Sequence, residues 1–354
     1  MSETPDGPET VEADAWVATA LGEPTDVLER RSIEVPPPGA GEVRVRVKAF
    51  CVNFNDGDIV RGRWATVPLQ PPFVPGMEAM GLVESAGAGA EHLLGRRVVG
   101  IAAGAHGGFA TVANVDAISA MVIPSWLSDA EGAALHFPFH LGWFGLVTRA
   151  RLEPGETVLV HAGAGGVGSA VIQIAKALGA TVIATAGGPE KVAFCGDLGA
   201  DVAIDYTDGG FADAVNEATA GMGVDVAFDT VGGSVTQETF RCTGMNGRIL
   251  LVGYAEDITN DGVPISPAPA VYGNFSIAGV CLAYAPDPLA VRMGGMNFPS
   301  RSDGLEIHER VLELLRSGRA RTVVTDEIGF DDLPAAMERQ HRRETMGRVV
   351  VTLT

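Results

Sequence analysis

Short, uninterrupted apolar runs recur between residues 152 and 280, and predicted helices separate them. Strands buried on both faces of a parallel sheet give such runs, since neither face alternates with polar residues. With right-handed crossovers, the pattern predicts an α/β fold with a doubly wound parallel sheet, which binds ligands at the carboxyl ends of its strands. The six predicted strands are 158–161, 182–186, 202–205, 224–229, 248–253 and 275–280.

A different pattern, with polar and apolar residues in alternation, marks the earlier part of the chain. Residues 42–48 alternate strictly and predict a half-exposed antiparallel strand. Glycine turns cut several neighbouring strands short, which favours a compact β-barrel-like domain. Ser128 and Glu131 have the spacing of a capping box that begins a helix. The remaining short strands of this domain are predicted at 81–84, 97–101, 108–112 and, on return of the chain, 347–351.

These patterns divide the chain into three parts. Residues 1–15 are rich in Pro, Gly and acids and carry few apolar side chains, so we expect a disordered tail. Residues 16–138 and 285–354 are expected to form the β-rich domain. Residues 139–284 are expected to form the domain with the parallel sheet.

The most informative motif follows the first strand of that sheet. Gly163, Gly165 and Gly168 have the GxGxxG spacing, and an apolar helical stretch comes directly after them. In this context the glycines allow a sharp turn, close approach to a diphosphate and tight packing of the helix, whose N-terminus faces the phosphates. The motif predicts a dinucleotide site that comprises Gly163, Ala164, Gly165, Gly166, Val167 and Gly168.

The end of the second strand indicates which nucleotide binds. An NAD enzyme carries Asp or Glu there, about 20 residues past the glycines, to hold the ribose 2′-hydroxyl. This chain has Ala186, followed by Gly187, Gly188 and then Lys191. A lysine attracts a 2′-phosphate that an acid would repel, so we expect NADPH as the cofactor. The alternative for Lys191 is a solvated lysine near a helix start.

Composition limits the partners. The formal net charge of −19 over 354 residues argues against nucleic acid or an anionic membrane, because both attract basic surfaces. No apolar run approaches the ~20 residues that span a bilayer, and no signal-peptide pattern begins the chain. We therefore expect a cytoplasmic protein that acts on a small molecule. No CxxC spacing occurs, so neither a zinc knuckle nor a redox pair is indicated for Cys51, Cys195, Cys242 and Cys281.

The sequence resembles the medium-chain dehydrogenase/reductase superfamily, and within it the zinc-free NADPH:quinone oxidoreductases, from about residue 16 to residue 354. The resemblance implies a GroES-like β-barrel domain beside a Rossmann domain, and a homodimer that pairs through the apolar strand at 274–280. The matching segments are 52–56 with Arg61 and Gly62, 75–78, 152–161, 164–168, 198–201, 225–233 and 347–350.

The resemblance also implies that no metal takes part. Zinc-bearing relatives have a cysteine at the place of Asn53 and a histidine at the place of Met77, whereas an amide and a thioether are poor zinc ligands. His136 and His140 lie four residues apart in a helical stretch, but a third ligand to complete a site with them is not found. A hydride would then pass directly to an acceptor that is already electron-poor.

Roles for single residues follow from the same resemblance. Asn53 would hydrogen-bond near the nicotinamide or the acceptor oxygen, with Asp56 beside it. Trp64 stands where enoyl reductases have a proton-donating tyrosine, and since an indole N–H is too weak an acid, we expect a flat apolar acceptor and a proton from solvent. The other expected cofactor contacts are Gly187, Lys191, Tyr206, Val252, Gly253 and Arg348.

Each of these roles has a structural alternative. Asn53 is also suited to a turn, Tyr206 to a strand end and Arg348 to the surface. Three functions stay open: a reductase of quinones or activated alkenes, a non-catalytic NADPH-binding protein of the same fold, and an enoyl-thioester reductase of lipid or polyketide metabolism. The last needs a basic entrance, for which Arg292 and Arg301 are the candidates. We expect Glu78 to form a structural salt bridge.

Overall fold

The computed structural model describes residues 9–63, 68–207, 209–258 and 264–353. The chain forms two compact units. The first runs up to His136 and resumes over Tyr284–Gly304 and Val324–Thr354, and the second comprises Phe137–Ala283 and Leu305–Val323.

The first unit is built mainly from strands. Its strands are β1 (Val11–Ala18), β2 (Leu28–Val35), β3 (Glu42–Cys51), β4 (Glu78–Ala86), β5 (Arg97–Ile101), β6 (Val112–Asp116), β7 (Met121–Val122), β14 (Val324–Ile328) and β15 (Arg348–Thr352). Its helices are α1 (Pro24–Val27), α2 (Phe54–Val60), α3 (Asp129–Ala133), α10 (Pro288–Met293) and α12 (Leu333–His341). The capping box predicted for α3 is confirmed, because Ser128 and Glu131 exchange their side-chain hydrogen bonds with each other's backbone N–H.

Strands β3, β4, β5 and β6 close on themselves. β3 pairs antiparallel with both β4 and β6, β4 pairs with β5, and a bridge from Ala102 to Val115 joins the end of β5 to β6. The alternating valines at 43, 45 and 47 lie in the core of this barrel. β15 pairs with β3, which confirms that the last strand returns to the first unit.

The expectation of a disordered tail over 1–15 is wrong from Val11 onward. β1 pairs antiparallel with β2 along its whole length. Ala13 and Val35 are buried together with Val112, whereas Glu12 and Asp14 point away. The small size of Ala13 and Ala15 hides this period-two pattern in the composition, because alanine contributes little to hydropathy.

The second unit contains the predicted parallel sheet of six strands. These are β8 (Thr157–Val160), β9 (Thr181–Ala186), β10 (Val202–Asp205), β11 (Val224–Asp229), β12 (Thr243–Leu251) and β13 (Ser276–Gly279). Helices α5 (Gly166–Ala177), α6 (Pro189–Asp197), α7 (Ala212–Ala218), α8 (Gly233–Thr239) and α9 (Ala268–Gly273) connect them. The spatial order is β10-β9-β8-β11-β12-β13, the arrangement of a Rossmann fold, in which the order of the strands reverses beside β8.

Two further helices lie where the chain passes from one unit to the other. They are α4 (His136–Trp143), which continues as a π-helical turn over Phe144–Arg149, and α11 (Arg301–Arg316).

The division of the chain differs from the expected one after residue 304. Leu305–Val323 belongs to the second unit, although all of 285–354 was expected in the first. Gln173 of α5 explains this, since its side chain accepts from Arg321 N at 2.9 Å and donates to Arg321 O at 3.0 Å. His140 of α4 and His308 of α11 are also hydrogen-bonded, at 3.1 Å between ring nitrogens. Within the described part of the chain, no helix is long and apolar enough to cross a bilayer.

Candidate functional site

The glycine motif forms the turn that its spacing predicts. β8 ends at Val160, Gly165 caps α5, and Gly166 begins the helix. Gly165 N donates to Ala162 O at 2.9 Å, so the backbone reverses within three residues. The turn lies at the carboxyl end of β8, which is where the order of the strands reverses and where doubly wound sheets bind their ligands.

Gly168 is the tightest point of this turn. A Cβ atom there would lie 2.2 Å from Ala162 O and 2.7 Å from Gly163 Cα. No real Cβ tolerates such distances, so the helix packs on the turn only because the residue is glycine. The N–H groups at the start of α5 and the helix dipole thus face the space beyond the strand ends, which favours an anion there.

His161, the first residue after β8, is held by hydrogen bonds to two buried threonines. Its Nε2 lies 2.8 Å from Thr239 Oγ1 and its Nδ1 lies 3.0 Å from Thr185 Oγ1. Because the Thr239 hydroxyl donates to Val235 O, it accepts from the ring, which places the proton on Nε2. Burial lowers the pKa of His161 below its ordinary value and keeps the ring neutral. The sequence does not reveal this role, since both threonines are distant in the chain.

A second part of the predicted nucleotide site lies at the carboxyl ends of β9 and β10. Tyr206 N donates to Ala186 O at 3.2 Å, and Tyr206 is 39% exposed. A Cβ atom on Gly187 would lie 2.9 Å from the Tyr206 hydroxyl, so the ring packs directly on this glycine. Lys191 lies in the first turn of α6. The structure therefore brings together Gly187 and Tyr206, two of the residues predicted to contact the cofactor.

Val252 and Gly253 lie at the same edge of the sheet. They follow β12, and Val252 N donates to Asp229 O at 2.8 Å at the end of β11. Asp229 is fully buried and its Oδ1 accepts from Val231 N and Gly232 N, which shapes the turn after β11. This carboxylate is a site-shaping residue that the sequence motifs do not single out.

The first unit contains a buried polar cluster around Glu78. Asn53 Nδ2 donates to Glu78 Oε2 at 3.2 Å, and Arg348 Nη2 donates to Asn53 Oδ1 at 2.9 Å and to Glu78 Oε2 at 3.4 Å. The other carboxylate oxygen, Oε1, lies 3.0 Å from His136 Nδ1. All four side chains are at most 6% exposed. The expected salt bridge of Glu78 is confirmed.

The charges of this cluster compensate one another. Burial by itself disfavours the Glu78 carboxylate, but hydrogen bonds and charges from His136, Arg348 and Asn53 outweigh it and hold the pKa of Glu78 below its usual value. Glu78 is therefore ionised, and it fixes the position of the Asn53 amide through one oxygen.

Asp56 has a different environment from the one expected for a catalytic group. Its Oδ2 accepts from Asn53 N and its Oδ1 from Met77 N, each at 2.9 Å, and its side chain is inaccessible to solvent. Burial raises the pKa of Asp56 to about 7, against an ordinary value of 3.8. Asp56 thus joins the start of α2 to the segment before β4, which is a structural role.

Three other expectations need revision or lie outside the structure. Arg348 is bonded to Asn53 and Glu78 inside the first unit, so it is not the expected contact to a 2′-phosphate. Arg301 is not part of a basic entrance, because its guanidinium donates to the carbonyls of Ala117, Ile118 and Ala120. Trp64 lies outside the described residues.

The donor set of the first unit does not suit a zinc ion. Asn53 is engaged at both ends of its amide, and the positive guanidinium of Arg348 lies against it, which opposes a dication. His136 is hydrogen-bonded to Glu78, and His140 is hydrogen-bonded to His308. Among the residues that the structure describes, no group of three His, Cys, Asp or Glu side chains is placed to hold a metal ion.

Comparison with known proteins identifies the two parts of the chain. Residues 39–125 match the family described as alcohol dehydrogenase GroES-like domain, and residues 166–291 match the family described as zinc-binding dehydrogenase. The structure of Escherichia coli quinone oxidoreductase in complex with NADPH superimposes with a TM-score of 0.80 and 26% identity, over 97% of this chain and all of that one.

Two relatives show the kinds of protein in which similar sequences occur. The quinone oxidoreductase-like protein 2 homolog of Nematostella vectensis is 31% identical over 340 residues, which are 95% of this chain and 88% of that protein. A mycocerosic acid synthase-like polyketide synthase of Mycobacterium tuberculosis is 33% identical over 258 residues, 72% of this chain. The chain spans only 12% of the length of that synthase.

The fold and the glycine turn define an oxidoreductase that uses a nicotinamide dinucleotide and combines a GroES-like domain with a Rossmann domain. The chain belongs to the quinone oxidoreductase-like family of the medium-chain dehydrogenase/reductase superfamily. Two of the solved structures that resemble it, one from Escherichia coli and one from a mycobacterium, contain NADPH.

Proposed function

We propose that this protein reduces quinones or other alkenes activated by a conjugated carbonyl, with NADPH and without zinc. The observation that carries the proposal is the Asn53–Glu78–Arg348 cluster, in which Asn53 takes the place of a cysteine ligand of zinc-bearing relatives and is held by a carboxylate and a guanidinium that leave it unsuited to a metal. Without a Lewis acid, the acceptor must be electron-poor before it binds. Quinones and carbonyl-conjugated alkenes meet this requirement.

The residues of the second unit would hold the cofactor. The N–H groups around Gly165, Gly166 and Val167 would bind the diphosphate, and Lys191 and Tyr206 would bind the 2′-phosphate. Val252 and Gly253 line the same edge of the sheet. When bound, NADPH supplies the hydride.

The residues of the first unit would act on the acceptor. Asn53 Nδ2 gives one hydrogen to Glu78, and we assign its second hydrogen to the acceptor oxygen. Arg348, which holds the other end of the amide, favours the negative charge that develops on that oxygen. The proton that completes the reduction comes from solvent.

The test is the consumption of NADPH, followed by its absorbance, with a panel of quinones, enones and enoyl-thioesters. We expect turnover of quinones or enones that persists after exhaustive treatment with a chelator, in protein without stoichiometric zinc. Activity that disappears with the chelator and returns with Zn²⁺ would contradict the proposal. NADPH binding with turnover of no acceptor would favour the non-catalytic alternative.

A second candidate, reduction of enoyl-thioesters, is favoured by the similarity to the polyketide synthase of Mycobacterium tuberculosis. The structure weakens its expected entrance, because Arg301 is occupied by backbone carbonyls. Preferential turnover of enoyl-CoA over simple quinones in the same panel would select this candidate.

We also propose that the protein is a homodimer. β13 is one of the two edge strands of the parallel sheet, and Val271 and Tyr272 in α9, just before it in the chain, are 66% and 85% exposed. An open edge beside exposed apolar side chains favours pairing with a second copy. Light scattering at micromolar concentration should give twice the mass of the chain, and a monomer would contradict the proposal.

A further inference from the structure

An acidic side chain stands one strand away from the place where NAD enzymes carry theirs. β9 and β10 are parallel neighbours, and Asp205, the last residue of β10, is in register with Ala186, the last residue of β9. Neighbouring strands lie about 4.8 Å apart. The acid that is absent at Ala186 is thus replaced by one beside it, at the same edge of the sheet.

The Asp205 carboxylate connects the loops after β9 and β10, which form the second part of the predicted nucleotide site. Asp205 Oδ1 accepts from Gly188 N at 3.0 Å, from Thr207 N at 3.0 Å and from Thr207 Oγ1 at 2.6 Å. Gly188 follows Gly187, and Thr207 follows Tyr206. The packing of the Tyr206 ring on Gly187 therefore depends on a turn that Asp205 holds at both ends.

Asp205 is charged under ordinary conditions. The hydroxyl of Thr207 and the amides of Gly188 and Thr207 stabilise the carboxylate and hold the pKa of Asp205 below its usual value. The side chain is only partly buried, so solvent and salt screen this charge without removing it.

We propose that Asp205 determines how strongly the protein distinguishes NADPH from NADH. Its hydrogen bonds position the loops around the adenosine ribose for both cofactors, and its negative charge opposes only the one that carries a 2′-phosphate. NADH therefore binds measurably, and the preference for NADPH that Lys191 and Tyr206 provide is held below its possible maximum. This inference rests on the ribose site proposed above and is independent of the acceptor.

Two substitutions separate the two effects. Asp205→Asn keeps the Oδ1 acceptor for Gly188 and Thr207 but removes the charge, whereas Asp205→Ala removes both. The dissociation constants of NADPH and NADH are measured by fluorescence titration at low ionic strength, so the readout does not depend on turnover.

The ratio of the NADPH and NADH dissociation constants measures the effect of the Asp205 charge. We expect both variants to shift it toward NADPH by about two- to fivefold, since one repulsion between a carboxylate and a phosphate is removed across partly solvated surface. The shift should shrink in high salt. The NADH constant alone reports the hydrogen bonds, and we expect it to weaken in Asp205→Ala while it changes less than about twofold in Asp205→Asn.

Asp197→Asn is the matched control. Asp197 is an exposed acid at the other end of α6, so the same change in net charge there should leave the ratio of the constants unaltered. An unchanged ratio in Asp205→Asn, or a ratio that Asp197→Asn shifts equally, would overturn the inference. A wild-type protein that binds neither nucleotide would instead overturn the ribose site itself.

Discussion

At the scale of single residues, the nucleotide turn depends on one missing side chain. The space at Gly168 is filled by the Ala162 carbonyl, whereas a Cβ atom added at Gly196, in the last turn of α6, would have nothing within 4 Å. The two glycines therefore differ: close contact requires a glycine at residue 168, whereas residue 196 is a helix position with room for a Cβ atom.

Gly168→Ala should damage both stability and cofactor binding. A methyl group that must push the carbonyl of Ala162 away costs about 1–3 kcal/mol and displaces the amides that face the diphosphate. We expect a lower melting temperature and an NADPH affinity weaker by about tenfold or more. Gly196→Ala is the control and should stabilise the fold by about 0.5 kcal/mol. Equal effects of the two substitutions would contradict this account of the turn.

A second prediction at the scale of single residues concerns Asp56 and the dependence of protein stability on pH. Burial raises the pKa of Asp56 to about 7 from an ordinary 3.8. Between these values the unfolded chain releases the proton that the folded protein keeps, so this residue's contribution to stability falls as the pH rises through that window. Asp56→Asn has no proton to lose.

The free energy of unfolding is measured with urea from about pH 5 to about pH 8. As the pH rises, the value for the wild type should fall relative to the value for Asp56→Asn. We expect a relative change of about 3 kcal/mol over this range, from the size of the pKa shift. Parallel curves for wild type and Asp56→Asn would show that Asp56 is ionised in the fold throughout.

At the scale of elements, Gln173 joins α5 to the segment that follows α11. Its amide serves both backbone groups of Arg321, and Nε2 also donates to Ser169 O within α5. Gln173 is 6% exposed, so these bonds are shielded from water. The Gln173 side chain therefore holds the segment 305–323 in the second unit, because it donates to and accepts from the backbone of Arg321 as a neighbouring strand would.

Gln173→Leu should destabilise the protein by about 2–3 kcal/mol, because the backbone N–H and C=O of Arg321 lose their partner in a poorly solvated place. Chemical denaturation measures this loss. Gln237→Leu, at an exposed position of α8, is the control, with an expected change within about 0.5 kcal/mol. A loss below that limit for Gln173→Leu would contradict the role of this amide.

The same scale shows what the sequence predicts well and what it does not. The six strands of the second unit and the turn at Gly163 to Gly168 were predictable, because each βαβ unit carries its own local signal of apolar run, glycine and helix. The cluster of Asn53, Glu78, His136 and Arg348 was not, since Glu78 lies 58 positions from His136 and 270 from Arg348. Only the tertiary fold makes such residues neighbours.

At the scale of the whole molecule, the chain leaves the first unit and returns to it twice. β15, close to the end of the chain, lies between β14 and β3, so the sheet of the first unit is incomplete without the last residues. The six strands of the second unit, in contrast, all lie between residues 157 and 279.

Truncation after Val323 should therefore affect the two units unequally. We expect the residues of the first unit to be digested rapidly by a nonspecific protease, since β3 loses β15, one of its three partner strands, and the edge at Ala49–Cys51 is exposed. The second unit should remain as a protected fragment. A truncation after Thr352, which keeps β15 whole, should leave the digestion pattern of the full chain. Equal protection of both units in the shorter protein would contradict the expectation.

The cysteines of the two units share one property with a bearing on the proposed chemistry. Burial raises the pKa of the Cys51 thiol to about 11 and of the Cys195 and Cys242 thiols to about 12. Quinones and enones are electrophiles that alkylate thiolates, and a thiol with such a pKa provides almost none at neutral pH. A catalyst of the proposed reaction would meet these electrophiles in every turnover, and the raised thiol pKa values would spare it from arylation at these three positions.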